Sequence, residues 1–198
     1  MGVRAQLGVV TLMEQGLLTP SCARRLTHAQ QTASTATGVH LGILAPNCKL
    51  CEVTALPQLD PFTTVVLYPD EDASPANTVD PSRITDVVVI DSKWGQSRGV
   101  LENPALHGLP HVRIGTYRTA YWRYHTKGVP EDGLCTVEAV YFLCRELHAR
   151  AHVKGDCHCY DDLLYYFAFM HRRVHAASAA RIAASHEAFE CRDSDDDE

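Results

Sequence analysis

Asp91, Ser92, Lys93 and Trp94 follow directly on an unbroken apolar run, Val87-Val88-Val89-Ile90, and turn through Gly95 into a helical pattern. Such a run reads as a parallel strand buried on both faces. Open α/β sheets bind ligands outside the carboxyl ends of their strands, which makes Asp91 and Trp94 the first candidates for chemistry. The same residues also fit a structural role, with Asp91 capping the next helix and Trp94 packing beneath it.

Three further stretches carry reactive or ligand-binding residue types. Pro104 to Pro130 holds Arg113, Arg118, Arg123 and Lys127, interleaved with Tyr117, Tyr121, Trp122 and Tyr124, and contains no acid. Phosphates need cations and unstacked bases need flat partners, so this composition suits structured or single-stranded RNA; a solvated loop around a buried Trp is the alternative. Leu134 to Ala139 places Thr136 at a helix start, where free N–H groups can meet a carboxylate or a polar cofactor edge, or where Thr136 is a plain cap and Glu138 favours the helix dipole. Gly95-Gln96-Ser97-Arg98-Gly99 matches the nucleophile-elbow pattern GxSxG. Four residues separate it from the strand end, however, and no oxyanion loop precedes it, so a hydrolase is disfavoured.

The elements that must position these groups alternate between strand and helix patterns, which implies a parallel sheet with crossovers. Strands are expected at Val39 to Ala45, Thr63 to Tyr68, Ile84 to Asp91 and His111 to Thr116. Pro69 to Ala73 reads as a strand-end loop opening a short helix, and a helix is expected from the strand end at Asp91 to about Glu102. A strong helix is expected from Thr136 to about His152, with Val137, Val140, Tyr141, Cys144 and Leu147 on one face. One long helix or two should cover Tyr160 to about Phe189, with Leu163, Leu164, Phe167, Met170 and Val174 as the buried stripe. Residues 1–38 read as a loosely ordered arm, with a short helix near Val9 to Leu18. Residues 39–190 form the domain and 191–198 an acidic, disordered tail.

With 198 residues the chain is long enough for one domain with a sizeable core. Its net charge of −6 is concentrated, since the last six residues carry −5 and leave −1 for the rest. An RNA partner is therefore compatible with the body of the chain. No apolar run approaches the ~20 residues that span a bilayer, so no membrane is expected. The eight cysteines are scattered, which reads as reduced thiols in the nucleus or cytoplasm. The single acid before Glu52, among several arginines, keeps an organelle open. Cys48-Lys49-Leu50-Cys51 lacks a second pair and Cys157-His158-Cys159 is too tight for one zinc, so no metal is expected.

In order along the chain, Leu67-Tyr68-Pro69-Asp70-Glu71-Asp72-Ala73, Asp91-Ser92-Lys93-Trp94, Thr119-Ala120-Tyr121-Trp122-Arg123, Cys135-Thr136-Val137-Glu138-Ala139 and Tyr160-Asp161-Asp162-Leu163-Leu164 resemble the blocks of the DTW-domain family, the tRNA-uridine aminocarboxypropyltransferases. The eukaryotic branch is the most similar, over roughly Val39 to Val174. Lys93 stands where the family signature D-x-T-W has Thr. Of the cysteines, only Cys22 falls in the first 38 residues, where family members often carry a cysteine-rich segment.

The resemblance implies a SPOUT-like α/β fold, a C-terminal knot and S-adenosylmethionine as donor substrate. It implies transfer of the 3-amino-3-carboxypropyl group to nitrogen 3 of a tRNA uridine, by a monomer or homodimer. Asp91 is expected as base or orienting group, with Trp94 shaping the pocket. Leu67, Tyr68, Pro69, Thr136 and Glu138 are expected around the donor, with Arg123 on its carboxylate. Arg113, Arg118, Trp122 and Lys127 are expected on the RNA. The alternatives are a catalytically inactive RNA-binding relative and a SPOUT-like RNA methyltransferase.

Overall fold

The computed structural model describes residues 8–13, 37–45, 47–92, 94–121, 133–151 and 157–193, with side chains for all but 8–13, 94, 95, 157 and 181–193. In chain order the elements are strand β1 (Gly8–Met13), helix α1 (Gly38–Leu44), strands β2 (Cys48–Glu52), β3 (Thr64–Leu67), β4 (Ser74–Pro75) and β5 (Asp86–Asp91), helix α2 (Trp94–Leu101), strand β6 (His111–Arg113), and helices α3 (Thr136–Arg150) and α4 (Tyr165–Asp193). The strands form one sheet in the order β2-β1-β5-β3-β6-β4. The four strands β5, β3, β6 and β4 run parallel, with Val66 paired to Val88 and Leu67 to Val112. β1 is antiparallel to both β5 and β2. This is the mostly parallel α/β sheet flanked by helices that the sequence pattern predicts.

β3 and β5 are apolar throughout because both faces of the sheet are covered. Val65, Leu67, Val87 and Val89 join Leu41 of α1 and Val137, Val140, Leu143 and Leu147 of α3 in the larger core. Val66 and Val88 face the other way, onto Val100 of α2 and Leu106 and Leu109. Val66, Val87, Val88 and Val100 are fully buried, and each such side chain contributes about 1.5–3 kcal/mol of burial.

Several expectations need correction. Val39 to Leu44 is helical within α1, with Ala45 as its extended cap, and is not a strand. The alternation of Val39, Leu41 and Ile43 imitates a strand, but Leu41 is fully buried and Gly42 lets the helix sit on Leu50 of β2. Gly8–Met13 is a strand, not the start of a short helix, and its Val9, Val10, Thr11 and Leu12 pair with both β2 and β5. β2 itself has no counterpart among the expected strands. The loop after β3 leads into β4 before a short 3₁₀ turn at Ala76–Thr78. β6 is three residues long, because the chain leaves the sheet at Ile114 for a different anchor. Residues Cys157–Leu164 are a 3₁₀ segment and α4 starts at Tyr165. The expected acidic tail overlaps the end of α4, which runs to Asp193. No described helix is long and apolar enough to cross a membrane.

Candidate active site

Asp91 is the last residue of β5, at the sheet edge where parallel strands β3 and β6 also end. Thr136, the first residue of α3, donates from Oγ1 to Asp91 Oδ1 across 2.6 Å. The Gly38 backbone N–H, at the first turn of α1, also donates to the Asp91 carboxylate. A Cβ on Gly38 would lie 2.7 Å from Asp91 Cγ, so only glycine lets α1 approach this closely. Burial pushes the Asp91 carboxyl above its usual range, and the two hydrogen bonds only partly offset that.

The start of α3 is built to receive these contacts. Cys135, not Thr136, occupies the cap position, in extended conformation. This corrects the reading of Thr136 as the cap and leaves its hydroxyl for Asp91. The Glu138 carboxylate reaches back to the Cys135 N–H at 3.0 Å, which closes a capping box. Thr37, buried beside them, accepts the Val137 N–H at 3.3 Å on its own Oγ1. The ends of β5, α1 and α3 therefore meet at one point.

A strap, residues 114–121, runs across α3 and ends beside this junction. Glu146 Oε1 accepts the Gly115 N–H at 2.7 Å and the Tyr117 hydroxyl at 2.8 Å. The Tyr117 ring stacks on Phe142 with centroids 3.8 Å apart. Two turns nearer the helix start, Glu138 accepts the Thr119 hydroxyl and the Ala120 N–H, both at 2.7 Å. Tyr121 then lies 6.5 Å from the Phe167 ring of α4. The strap delivers the chain to Trp122 and Arg123.

The predicted site residues divide accordingly. Asp91 and Thr136 are in direct contact. Leu67, Tyr68 and Pro69 end the adjacent strand, in register with Val89 two residues before Asp91. Tyr68 packs edge-on against His111, whose Nδ1 lies 3.4 Å from Asp70 Oδ2. Glu138 is only 4% exposed and its carboxylate is occupied by protein donors, so its part is to position the strap and Thr136. Arg113 Nε donates to the Ala73 carbonyl at 3.1 Å, tying β6 to the loop after β3, and Arg118 is exposed on the strap. Trp94 opens α2. Its side chain, with Lys93, Trp122, Arg123 and Lys127, lies outside the described residues. Ser97 of the GxSxG pattern is buried within α2, which rules out an exposed nucleophile elbow there.

Thr37 and Gly38 are the site residues that the sequence reading missed, by assigning residue 38 to the arm and Val39 onward to a strand. Thr37 before an apolar segment that Pro46 ends is a helix-start signal and could have found them. Among the described residues no three His, Cys, Asp or Glu side chains are arranged to hold a metal ion. A depression lined by Asp80, Pro81, Ser82, Arg150 and Ala151 lies at the other end of α3, about 20 Å from Asp91 by helix length.

The DTW domain family matches residues 21–175. Relatives include tRNA-uridine aminocarboxypropyltransferase 1 of Xenopus laevis, 37% identical over 91 residues, or 46% of this chain and 31% of that protein. The Mus musculus protein of the same name is 35% identical over 88 residues, 44% of this chain and 29% of its own length. The Homo sapiens protein is 32% identical over 97 residues, 48% of this chain and 31% of its own. The chain therefore spans less than a third of the length of these relatives. No solved structure matches. The matched region takes in α1, the Asp91 strand end, the strap and the whole of α3, and the chain belongs to the DTW domain family.

Proposed function

We propose that this chain transfers the 3-amino-3-carboxypropyl group of S-adenosylmethionine to nitrogen 3 of a tRNA uridine and releases methylthioadenosine. The observation that carries the reading is the Asp91 carboxylate, held by Thr136 and Gly38 at the carboxyl end of β5 with its pKa raised. The similarity to relatives named for this reaction supports it.

The donor set fits. A half-buried carboxylate with no cationic partner among the described residues suits a positively charged sulfonium and ammonium donor, and the Leu67–Pro69 strand end and the Thr136 helix start are the surfaces that would hold its adenosine part. When bound, S-adenosylmethionine supplies a carbon already activated by the sulfonium. The protein then needs alignment and proton management. In this reading Asp91 takes the proton from uridine nitrogen 3, and its raised pKa makes it a better base than an exposed carboxylate. Thr136 and Gly38 fix the direction in which the carboxylate points. Glu138 acts at one remove, by holding the strap that leads to Arg123, whose guanidinium fork matches the donor's carboxylate. Trp94 shapes the pocket, and Arg113, Arg118, Trp122 and Lys127 meet the RNA. The proposal extends to a C-terminal knot around the donor and to action in the nucleus or cytoplasm.

The test is mass spectrometry of an unmodified tRNA incubated with the protein and S-adenosylmethionine. Aminocarboxypropyluridine in the digest with methylthioadenosine in the supernatant is the expected result. S-adenosylhomocysteine and a methylated nucleoside would replace the proposal with a methyltransferase. Donor and tRNA binding without transfer would make the chain an inactive RNA-binding relative and direct attention to Lys93.

A further inference from the structure

α4 is the one long described helix whose outer face is both aromatic and basic. From Tyr165 to His186 the sequence contains three arginines and three histidines and no acid, within a chain of net charge −6. Tyr165 is 62% exposed and Phe169, one turn on, is 48% exposed. Arg172 and Arg173 follow on the next turn, both exposed. The Arg173 guanidinium lies over the Phe169 ring at 5.7 Å, and neither arginine pairs with a carboxylate among the described residues.

The helix is also placed to serve the candidate site. Tyr166 packs 5.9 Å from His40 of α1, the helix whose Gly38 touches Asp91. Phe167 lies beside Tyr121 at the end of the strap. The exposed residues 165, 169, 172 and 173 therefore begin next to the site and lead away from it.

We propose that this face of α4 is a docking surface for the tRNA, apart from the arginines of the strap and β6. The inference rests on the transferase reading for the identity of the RNA. Exposed rings stack on bases, and exposed guanidinium groups meet phosphates, so the pattern is complementary to a folded polyanion. A second copy of the chain fits less well, since pairing two such helices would oppose like charges. Glu187, the first acid after Arg173 along α4, lies about 21 Å along the axis from it, too far to neutralise it.

The experiment measures binding of an unmodified tRNA transcript to the full chain across a salt series. Arg172→Glu/Arg173→Glu should weaken binding at least tenfold and reduce the slope of log affinity against log salt by about 2. Phe169→Ala should weaken it about fivefold or more with the slope unchanged. Arg172→Lys/Arg173→Lys should retain most of the affinity, and S-adenosylmethionine binding should be unchanged in all three, which confirms folding. Unchanged tRNA affinity and slope in the double charge reversal would overturn the proposal. So would a concentration-dependent dimer in sedimentation that the reversal abolishes, because the occupant would then be a second copy. Wild-type protein that binds tRNA through α4 yet transfers nothing sinks the transferase reading alone. Transfer that survives with α4-independent binding sinks this inference alone.

Discussion

Thr136 Oγ1 and Asp91 Oδ1, 45 residues apart in sequence, are joined by a 2.6 Å hydrogen bond that ties the end of β5 to the first turn of α3. Charge-assisted bonds of this kind are about twice as strong as neutral ones. Thr136→Val should therefore leave the half-buried carboxylate short of a donor. The expected cost is about 1–3 kcal/mol at neutral pH, with Asp91 titrating still higher. Thr136→Ser should recover most of the loss. Urea denaturation with a carboxyl-resolved NMR titration checks both, and an unmoved Asp91 resonance would exclude the bond as its determinant.

Asp91 itself should weaken the fold at neutral pH. Its folded pKa is raised, chiefly by burial, so the folded state holds the proton more tightly than the unfolded state does. Stability linked to this group is fully present below the ordinary carboxylate range and is lost as pH rises through the raised value. Asp91→Asn keeps an acceptor for Thr136 and removes the buried charge. It should raise the unfolding midpoint at pH 7, and the gain should fade as pH drops towards 4. In the proposed reaction the same variant should abolish transfer. A variant that is both less stable at neutral pH and fully active would contradict both roles.

Gly38→Ala tests how tightly α1 closes on the site. The added Cβ would meet Asp91 Cγ at 2.7 Å and Asp91 Cβ at 3.1 Å, so the helix or the carboxylate must move. Overpacking of this kind costs about 1–3 kcal/mol. Transfer should fall by more than the stability loss explains, because the carboxylate direction changes. Thermal denaturation beside single-turnover rates separates the two effects, and wild-type rates in a stable variant would remove Gly38 from the site.

The parts of this arrangement that could be read from the sequence are those set by local pattern. Val87 to Ile90 announces a strand covered on both faces, and Val66 and Val88 confirm why no polar residue interrupts it. The face of α3 follows from its 3.6-residue period. α1 was misread because seven residues are too few to separate period 2 from period 3.6, and its identity is decided by packing of Gly42 against Leu50. β1 and β2 depend on pairing partners about 40 residues apart, which no local signal records. At the site, Asp91 was legible as a strand end and Thr136 as a helix start. Their contact with each other, and with Gly38, exists only once the sheet brings three chain segments together.

Glu138→Ala should release the strap. It leaves the Thr119 hydroxyl and the Ala120 and Cys135 amides without their acceptor, at roughly 2–4 kcal/mol in total. Glu138→Gln retains one oxygen and should lose less. Hydrogen exchange is the direct measurement: the Ala120 and Cys135 amides should lose protection in the alanine variant while those in the middle of α3 keep theirs. Uniform loss across α3 would mean that Glu138 holds the helix itself and not the strap.

Glu146 fastens the same strap at its other end, and Tyr117 reports on it. Burial, followed by the hydrogen bond to the Glu146 carboxylate, pushes the Tyr117 phenol up to about 12. Glu146→Gln removes the charge and leaves the burial. Tyr117 should therefore move only part of the way back towards the ordinary phenol value of about 10. The linkage has a definite sign: the folded state holds this proton more tightly, so Tyr117's contribution is present below about pH 10 and is lost as pH climbs towards 12. The loss should be milder in the glutamine variant. Ultraviolet titration of ionised tyrosine, assigned by difference from Tyr117→Phe, gives the shift. A Tyr117 that titrates identically in both proteins would mean that the stack on Phe142, and not Glu146, holds the strap to α3.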